Sequence, residues 1–173
     1  MLAARIWLPA DAEQNPVPAI LEYLPYRKRD GTYERDALTH PYLAGHGYAG
    51  VRVDIRGSGE SGGLLFDEYA KQEQDDGVEV IAWLAAQPWC SGVVGMMGIS
   101  WGGFNGLQIA ARRPPALKAI ISSVRATIGT PTMHTTWAAC FLRPVLNGPC
   151  SFSAQCACRP TQYLSAIAGG RCG

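Results

Sequence analysis

The sequence predicts an α/β fold in which a mainly parallel β-sheet is covered by helices on both faces. Short apolar runs of strand length end at turn residues, and the longer segments between them carry apolar residues at helical spacing. Strands that alternate with helices are typical of parallel sheets buried on both faces. A length of 173 residues suits one domain with a sizeable core.

Five strands are predicted along the chain, at residues 5–8, 19–24, 48–54, 93–99 and 117–122. Between them lie three predicted helices, a short one at 40–46 and longer ones at 75–87 and 101–113. The two longer helices are predicted from apolar residues at helical spacing, which are Val78, Ile81, Ala82 and Ala85 in the first and Phe104, Leu107, Ala110 and Ala111 in the second.

The composition excludes several classes of protein. Hydrophobic residues make up 47% of the chain, too many for a disordered polymer, and no apolar run approaches the ~20 residues of a membrane span. A formal net charge of +1 argues against electrostatic binding to nucleic acid or to a membrane surface. Because Arg5, Pro9 and Asp11 interrupt any apolar stretch near the start, we predict no signal peptide and a cytoplasmic protein.

The composition changes near residue 124. All 14 acidic residues lie before this point, whereas residues 124–173 contain no Asp, Glu or Lys. Soluble domains usually carry charges of both signs over their surface. We therefore expect a domain at 1–123 and an irregular, poorly ordered tail at 124–173. The tail is rich in cysteine, with Cys140, Cys150, Cys156, Cys158 and Cys172.

The strongest chemical signal is G-I-S-W-G-G at residues 98–103, directly after a predicted strand and before a predicted helix. This is the context of a nucleophile elbow, where small residues permit a sharp, strained turn that exposes the hydroxyl of Ser100. Backbone N–H groups at the start of the next helix favour negative charge developing at the same point. The alternative is a glycine-rich turn without chemistry, which this placement disfavours.

A second glycine-rich segment, D-I-R-G-S-G-E-S-G-G at residues 54–63, follows the third strand. Backbone N–H groups of such a loop can cradle phosphate. However, no Walker lysine follows, and the next predicted helix begins well downstream. We therefore favour a structural role in which Asp54 and Arg56 tie neighbouring segments together.

A third segment, L-P-Y-R-K-R-D at residues 24–30, follows an early strand, where loops at the carboxyl ends border the active site. The hydroxyl of Tyr26 is able to donate a hydrogen bond to an oxyanion. A lone tyrosine is also commonly a half-buried packing residue, so both roles stay open. The adjacent Arg27, Lys28 and Arg29 are predicted to form a solvated face.

These motifs occur in order with H-P-Y-L-A-G-H-G-Y at 40–48 and Q-P-W-C-S-G-V-V-G-M-M-G-I-S-W-G-G-F at 87–104. Together they resemble the cocaine esterase/NonD hydrolases of the X-Pro dipeptidyl-peptidase (S15) group, over about the first 123 residues. The resemblance implies an α/β-hydrolase catalytic domain that cleaves a small-molecule ester or an amide or peptide through an acyl-enzyme. It implies no cofactor and no metal.

The resemblance also assigns roles to single residues. Ser100 matches the nucleophile, and the Tyr26 hydroxyl and the backbone N–H of Trp101 match the two donors of the oxyanion hole. His40 and His46 match structural positions and not the catalytic base.

The catalytic triad is not complete in family order. A serine nucleophile needs a histidine base that is oriented by a carboxylate, and in α/β-hydrolases both follow the serine in the chain. Here the last acidic residue is Glu79, and the only histidine after Ser100 is His134. The helical lid and jelly-roll domain implied by the resemblance are not found either. We therefore interpret the chain as a partial, truncated α/β-hydrolase fold that shows little or no activity alone.

The family pattern stops where the composition changes. The family continues with a segment resembling S-T-D-D-R-Y-A-D-D-x-H-Y-M-G-G, which this chain lacks after Ser123. Back-translation of residues 124–139, with the first two bases skipped, permits S-S-D-D-R-Y-A-D-D-A-H-Y-M-G-G. We therefore hypothesise that a shift of the reading frame near residues 122–124 produced the tail and made His134 an accidental residue.

Two alternatives belong to other classes of protein. In the first, the chain is a non-catalytic product that misfolds or associates through its exposed sheet edge and apolar tail. In the second, it is a metal-binding module. Zinc would need a set such as Cys150, Cys156, Cys158 and Cys172, but their spacing lacks the paired C-x₂₋₄-C knuckles of structural sites. Disulfides would need an oxidising compartment, and no export signal is predicted. The oligomeric state stays open.

Overall fold

The backbone forms one seven-stranded sheet with the order β1-β3-β2-β4-β5-β6-β7 in the computed structural model of the protein. The structure describes the backbone of residues 1–126, 136–144 and 152–156, and side chains up to residue 123. The strands are β1 (Ala4–Trp7), β2 (Val17–Leu24), β3 (Ala49–Asp54), β4 (Cys90–Ile99), β5 (Leu117–Ala126), β6 (Thr136–Pro144) and β7 (Phe152–Cys156).

The central four strands, β3, β2, β4 and β5, are all parallel. β1 pairs antiparallel with β3 at one edge, and β6 and β7 pair antiparallel beyond β5. All six residues of β3 are buried, as expected for a parallel strand covered on both faces. The predicted fold class, a mainly parallel sheet with helices, is therefore confirmed.

Three helices connect the parallel strands, namely α1 (Tyr33–Gly45), α2 (Lys71–Ala85) and α3 (Trp101–Ala111). α1 begins seven residues before the predicted start and α2 begins four residues before it. The first turn of α1 contains Glu34 and Asp36, and that of α2 contains Glu73. The extra segment of α2 is wholly polar, and that of α1 has Ala37 and Leu38 as its only aliphatic residues, so apolar periodicity could not detect them.

The two longer helices bury only one each of the residues whose spacing predicted them, Ile81 in α2 and Ala110 in α3. In α2, Ile81 and Leu84 are fully buried, whereas Ala82 is exposed. In α3 the buried face contains Gly102, Gly103, Asn105, Gly106, Ile109 and Ala110, while Phe104 and Leu107 are half-buried. The glycine-rich face lets α3 lie close against the sheet, and this packing leaves the larger apolar side chains at the margin.

The tail contributes two of the strands, although it was expected to be irregular. β6 pairs with β5 from Ile120↔Leu142 to Ala126↔Thr136, and β7 continues the sheet next to β6. The register sets Cys140 opposite Cys156. His134, Cys150, Cys158 and Cys172 lie outside the described residues, as do the zinc-ligand set and most of the segment that was expected to be poorly ordered.

Candidate active site

The candidate site lies where the connections from two neighbouring strands diverge. β2 and β4 are adjacent and parallel, but the chain leaves β2 toward β3 on one side and leaves β4 toward β5 on the other. Such a switch point opens a crevice at the carboxyl ends of the strands, where ligands bind in open α/β sheets. The segment that carries Tyr26 follows β2, and Ser100 follows β4, so both border this crevice.

Ser100 has a strained backbone and an exposed side chain. Its φ of 54° and ψ of −117° fall in a region that residues other than glycine rarely adopt. The strain is held by the surroundings, because the Ser100 N–H donates to Ser123 O at 2.8 Å and the Ser100 carbonyl accepts from Gly103 N at 2.9 Å. The residue is exposed, and its side chain makes no capping hydrogen bond to α3.

The glycines on either side of Ser100 are required by close approach. A Cβ added to Gly98 would collide with the backbone of Gly102, and a Cβ on Gly102 would lie 2.9 Å from Leu24 Cδ2. The hydroxyl of Ser122, on the neighbouring strand, donates to Gly103 O at 2.9 Å. The close approach of Gly98 to the Gly102 backbone and of Gly102 to the Leu24 side chain therefore fixes the turn from β4 into α3.

The two predicted oxyanion-hole donors lie together. The Trp101 N–H donates to Tyr26 Oη at 3.3 Å, which joins residues 75 positions apart in the chain. Tyr26 is half-buried and keeps its own hydroxyl proton available, because its oxygen is the acceptor in this contact. One oxygen atom entering the crevice beside Ser100 would therefore meet the Tyr26 O–H, and also the Trp101 N–H once that group turns from Tyr26 Oη to the entering atom.

The segment that carries Tyr26 is held by a buried ion pair. Asp54 accepts from the Lys28 N–H at 2.9 Å and from Lys28 Nζ at 3.0 Å, and Lys28 Nζ also contacts Glu60 at 2.7 Å. The Lys28 ammonium lowers the pKa of Glu60. The prediction of a solvated basic face is therefore wrong for Lys28, which is 4% exposed, although Arg27 and Arg29 are exposed.

The glycine-rich segment at residues 54–63 has the predicted structural role. Arg56 makes a bidentate ion pair with Asp76 of α2, with both N–O distances 2.7 Å. The hydroxyl of Ser58 donates to Pro25 O at 3.0 Å. Together with Asp54, these contacts tie the segment to α2 and to the residues just before Tyr26, which confirms the structural interpretation.

Glu73, in the first turn of α2, is a site residue that sequence reasoning missed. It is 4% exposed, and its Oε1 accepts from the Trp101 indole N–H at 2.9 Å and from Asn105 Nδ2 at 3.1 Å. Its other oxygen accepts from the Tyr69 N–H at 3.1 Å. An acidic residue in the first turn of a helix is ordinary, so only the tertiary structure distinguishes this one.

A second charged group, with three buried members and the half-exposed Arg35, lies on the other side of β2. It consists of Glu22, Arg35, Asp36 and Arg52, which we call the ionic cluster. Arg35 Nη2 lies 2.7 Å from Glu22 Oε2, and Arg52 Nε lies 3.2 Å from Asp36 Oδ2. Burial raises the pKa of Glu22 despite both arginines, and burial lowers the pKa of Arg52.

His40 and His46 lie near the amino ends of the strands, away from Ser100. His40 is fully buried, stacks on Trp7 with ring centroids 4.5 Å apart, and lies against Gly50 at the start of β3. Burial lowers the pKa of His40, although the nearby Asp36 carboxylate acts in the opposite direction. His46 is exposed three residues before β3. Neither imidazole borders the crevice.

A divalent metal has no free place among the described residues. Glu22, Asp36 and His40 have ligand atoms within 4.8 Å of one another, and no other such group occurs in residues 1–123. The guanidinium groups of Arg35 and Arg52 already pair with these carboxylates, so the position of a cation is taken by protein. Within the same part of the chain, no helix is long and apolar enough to span a membrane.

Comparison with known proteins supports the resemblance seen in the motifs. A profile of the X-Pro dipeptidyl-peptidase (S15) family matches residues 1–139, and so extends sixteen residues past Ser123. Cocaine esterase from Rhodococcus sp. is 34% identical over 124 residues, which cover 71% of this chain and 21% of that protein. A putative serine esterase from Mycobacterium bovis is 40% identical over 74 residues, or 43% of this chain and 12% of that protein.

Solved structures show the same relationship. The crystal structure of a CocE/NonD family hydrolase from Staphylococcus aureus superposes with a TM-score of 0.60 and 27% identity, covering 69% of this chain and 24% of that one. An α-amino acid ester hydrolase gives a TM-score of 0.55 at 26% identity, covering 69% and 22%. This chain thus spans less than a quarter of the length of these relatives. Because the family profile covers well over half of its residues, the chain belongs to the X-Pro dipeptidyl-peptidase (S15) family and has an α/β-hydrolase fold.

Proposed function

We propose that this chain provides the nucleophile and the oxyanion hole of a serine hydrolase that cleaves an ester or an amide. The observation that carries the proposal is the convergence of three groups on one crevice: the exposed Ser100 hydroxyl, the Trp101 N–H and the Tyr26 hydroxyl. The strained backbone at Ser100 supports it, because strain of this kind concentrates at functional sites.

In the proposed reaction, Ser100 Oγ attacks the carbonyl carbon and gives up its proton to solvent, and the electron pair of the C=O bond moves onto oxygen. The Trp101 N–H and the Tyr26 O–H donate hydrogen bonds to this oxyanion. Collapse of the tetrahedral intermediate expels the alcohol or amine, which takes up a proton, and leaves the acyl group on Ser100. Water then cleaves the acyl-enzyme and regenerates the hydroxyl.

Neither histidine among residues 1–123 supplies a base for Ser100 in this proposal. His40 and His46 lie near the other end of the strands, and no acidic residue follows Ser100 to orient a histidine. Since an oxyanion hole alone retains part of the rate enhancement, we expect very slow acylation. The second candidate function is that the chain has no activity of its own. It rests on the same observation, that no acidic residue follows Ser100 in the sequence.

Both ester and amide substrates fall within the proposal. Two of the relatives are named esterases, and the family is named after a dipeptidyl-peptidase. We propose a small molecule or short peptide with a reactive carbonyl as substrate, and the acyl and leaving groups are left open. An activated ester is the better test compound, because its leaving group needs little protonation.

Covalent labelling tests the proposal without requiring turnover. In an aryl fluorophosphonate, Ser100 Oγ would displace fluoride from phosphorus, and its proton and the fluoride would leave. We expect peptide mass spectrometry to locate the added mass on Ser100, with slow labelling in wild type and none in Ser100→Ala. Tyr26→Phe, which removes one oxyanion donor, is expected to slow labelling by about 10²-fold.

Ser91 provides the matched control for this experiment. It is an exposed serine on β4, near the opposite end of the strand from Ser100. Ser91→Ala is expected to be labelled like wild type. Labelling spread over several serines, or rapid hydrolysis of a nitrophenyl ester that persists in Ser100→Ala, would refute the proposed nucleophile.

The origin of the tail is a separate proposal. We propose that residues 124–173 are read from a shifted frame, as the back-translation suggests. The nucleotide sequence from codon 115 onward tests it: a frame encoding D-D-R-Y-A-D-D should run beside the one that is translated. If no such frame exists in the gene, the hypothesis fails while the labelling prediction for Ser100 is unaffected.

A further inference from the structure

Glu73 brings together three segments around the nucleophile elbow. Its carboxylate accepts the indole N–H of Trp101 and the side-chain amide of Asn105, both on α3, and the backbone N–H of Tyr69 in the preceding segment. Its backbone carbonyl accepts the hydroxyl of Tyr23 on β2 at 3.2 Å. One buried residue therefore links α2, α3 and the strand that leads to Tyr26.

We infer that Glu73 is a positioning residue for the oxyanion hole, and this inference rests on the proposed function. The Trp101 indole is anchored on Glu73 Oε1, while the backbone N–H of the same residue is the proposed oxyanion donor. Ser100 caps α3 and Trp101 is its first residue, so a contact that ties the Trp101 indole to α2 restrains the start of α3, and with it the Trp101 backbone, against displacement. Fixing the indole therefore fixes the donor.

The surroundings of Trp101 show that this anchoring involves more than one contact. The Tyr69 ring lies 5.2 Å from the Trp101 ring and 5.8 Å from the Phe104 ring, measured between centroids. Tyr69 also has a φ of 56°, and its N–H is held by Glu73 Oε2. The carboxylate thus secures both the tryptophan and the strained residue that packs on it.

A carboxylate suits this position because three donors converge on it. Two oxygens accept from an indole, an amide and a backbone N–H, and each of these donors would be costly to leave unpaired in a buried place. Alanine at position 73 would leave all three without this acceptor. Glutamine would keep one carbonyl oxygen for Trp101 and Asn105 but would turn an amide donor toward the Tyr69 N–H.

A boronic acid tests the inference through binding to the oxyanion hole, without turnover. With n-butylboronic acid, Ser100 Oγ bonds to boron and its proton goes to solvent, so that boron becomes a four-coordinate anion whose oxygen occupies the hole. Dissociation constants are measured for folded protein only, as judged by circular dichroism. We expect Glu73→Ala to weaken binding by about tenfold or more, and Glu73→Gln by only about threefold.

Two further variants separate positioning from a general loss of stability. Glu79→Ala removes an exposed carboxylate from the same helix and is expected to bind like wild type. Trp101→Phe keeps an aromatic ring but removes the indole donor, so it should weaken binding as Glu73→Ala does. The double variant should show no loss beyond that of Glu73→Ala, because Glu73→Ala already breaks the one contact that Trp101→Phe removes.

Each outcome has a defined meaning. If folded Glu73→Ala binds the boronate like wild type, or if the two changes are additive, the positioning role is overturned. If Glu73→Ala does not fold, Trp101→Phe carries the test, and affinity equal to wild type overturns the role. If wild type binds no more tightly than Ser100→Ala, the proposed function fails instead, and this inference fails with it.

Discussion

The ionic cluster and the nucleophile elbow lie on opposite sides of β2, and they are held in place by different physical means. Around Glu22, Arg52 and Asp36, buried charges neutralise one another across β2, β3 and α1. Around Ser100, the backbone of β4 and α3 approaches so closely that Gly98 admits no Cβ, and the Leu24 side chain lies against Gly102. One region depends on charge balance and the other on the absence of side chains.

Rigidity on the two sides of β2 therefore comes from two kinds of contact, which substitutions disrupt in different ways. A buried ion pair costs free energy to desolvate, and removing one partner leaves an uncompensated charge. A close backbone contact has no such electrostatic cost but tolerates no added volume. Substitutions should therefore affect the two regions through separate mechanisms, and the following predictions separate them.

The largest effect is expected in the ionic cluster. Arg52→Ala would leave Glu22, Asp36 and Asp54 without the guanidinium that lies among them. We expect the free energy of unfolding, measured with urea, to fall by about 3–5 kcal/mol. The control is Arg29→Ala. The Arg29 side chain contacts Glu60 but is 80% exposed, so this contact should contribute less than about 1 kcal/mol to the free energy of unfolding. Equal losses in the two variants would contradict the proposed cost of an unpaired buried charge.

A smaller but still large effect is expected at the elbow. Gly98→Ala would drive a methyl group into the backbone of Gly102, and we expect a loss of about 1–3 kcal/mol in the free energy of unfolding. The same displacement should move the Trp101 N–H away from Tyr26 and slow labelling of Ser100.

Gly45 provides the matched control for the elbow substitution. It lies in the last turn of α1, and no atom lies within 4 Å of an added Cβ. Gly45→Ala is therefore expected to leave stability unchanged or to raise it by up to about 1 kcal/mol. If Gly98→Ala proved equally harmless, the close approach would not be what holds the elbow.

These two regions also show which parts of the molecule could be predicted from sequence. The G-x-S-x-G turn is local: small residues, a strand before and a helix after are all adjacent in the chain, so its position could be derived. The alternation of apolar runs likewise indicated the parallel strands of the sheet. Lys28, by contrast, was expected on a solvated face and is buried against Asp54.

The buried charges could not be predicted because their partners come from distant segments. Arg52 lies in a strand, Asp36 in a helix that apolar periodicity only half detected, and Glu22 in another strand. Glu73 is hidden for the same reason, since its acceptor role depends on Trp101 and Asn105 in α3. Where a charged residue is neutralised by residues from distant segments, its neighbours in the sequence do not indicate that it is buried.

The strain at Ser100 predicts a gain in stability when the nucleophile is lost. Glycine adopts a φ of 54° without a steric penalty, so Ser100→Gly should raise the free energy of unfolding by about 1 kcal/mol while abolishing labelling. Ser91→Gly changes the same residue type in the same strand without that strain, and should lower stability by about 0.5–1 kcal/mol. Two changes of the same sign would contradict the stored strain.

The smallest expected effect, and the one most specific to the surroundings of the ionic cluster, is the pH dependence of stability that arises from His40. Because burial depresses the pKa of His40 in the folded state, its contribution to stability is present above about pH 6.5, the ordinary value for histidine, and is lost as the pH falls. The lowered pKa values of Glu60 and Asp75 act in the same direction, but only nearer pH 4, where those carboxyls titrate. The raised pKa of Glu22 acts in the opposite direction.

A comparison of two histidine variants isolates this contribution. In His40→Gln, the decline of unfolding free energy between pH 8 and about pH 5.5 should be shallower than in His46→Gln, in which the exposed histidine is replaced and the buried one remains. Glu22 is present in both, so its opposing contribution is shared. If the two variants declined in parallel, the charge balance around Arg52 would have to include a protonated His40, and the cluster would tolerate one more cation than its two carboxylates and two arginines allow.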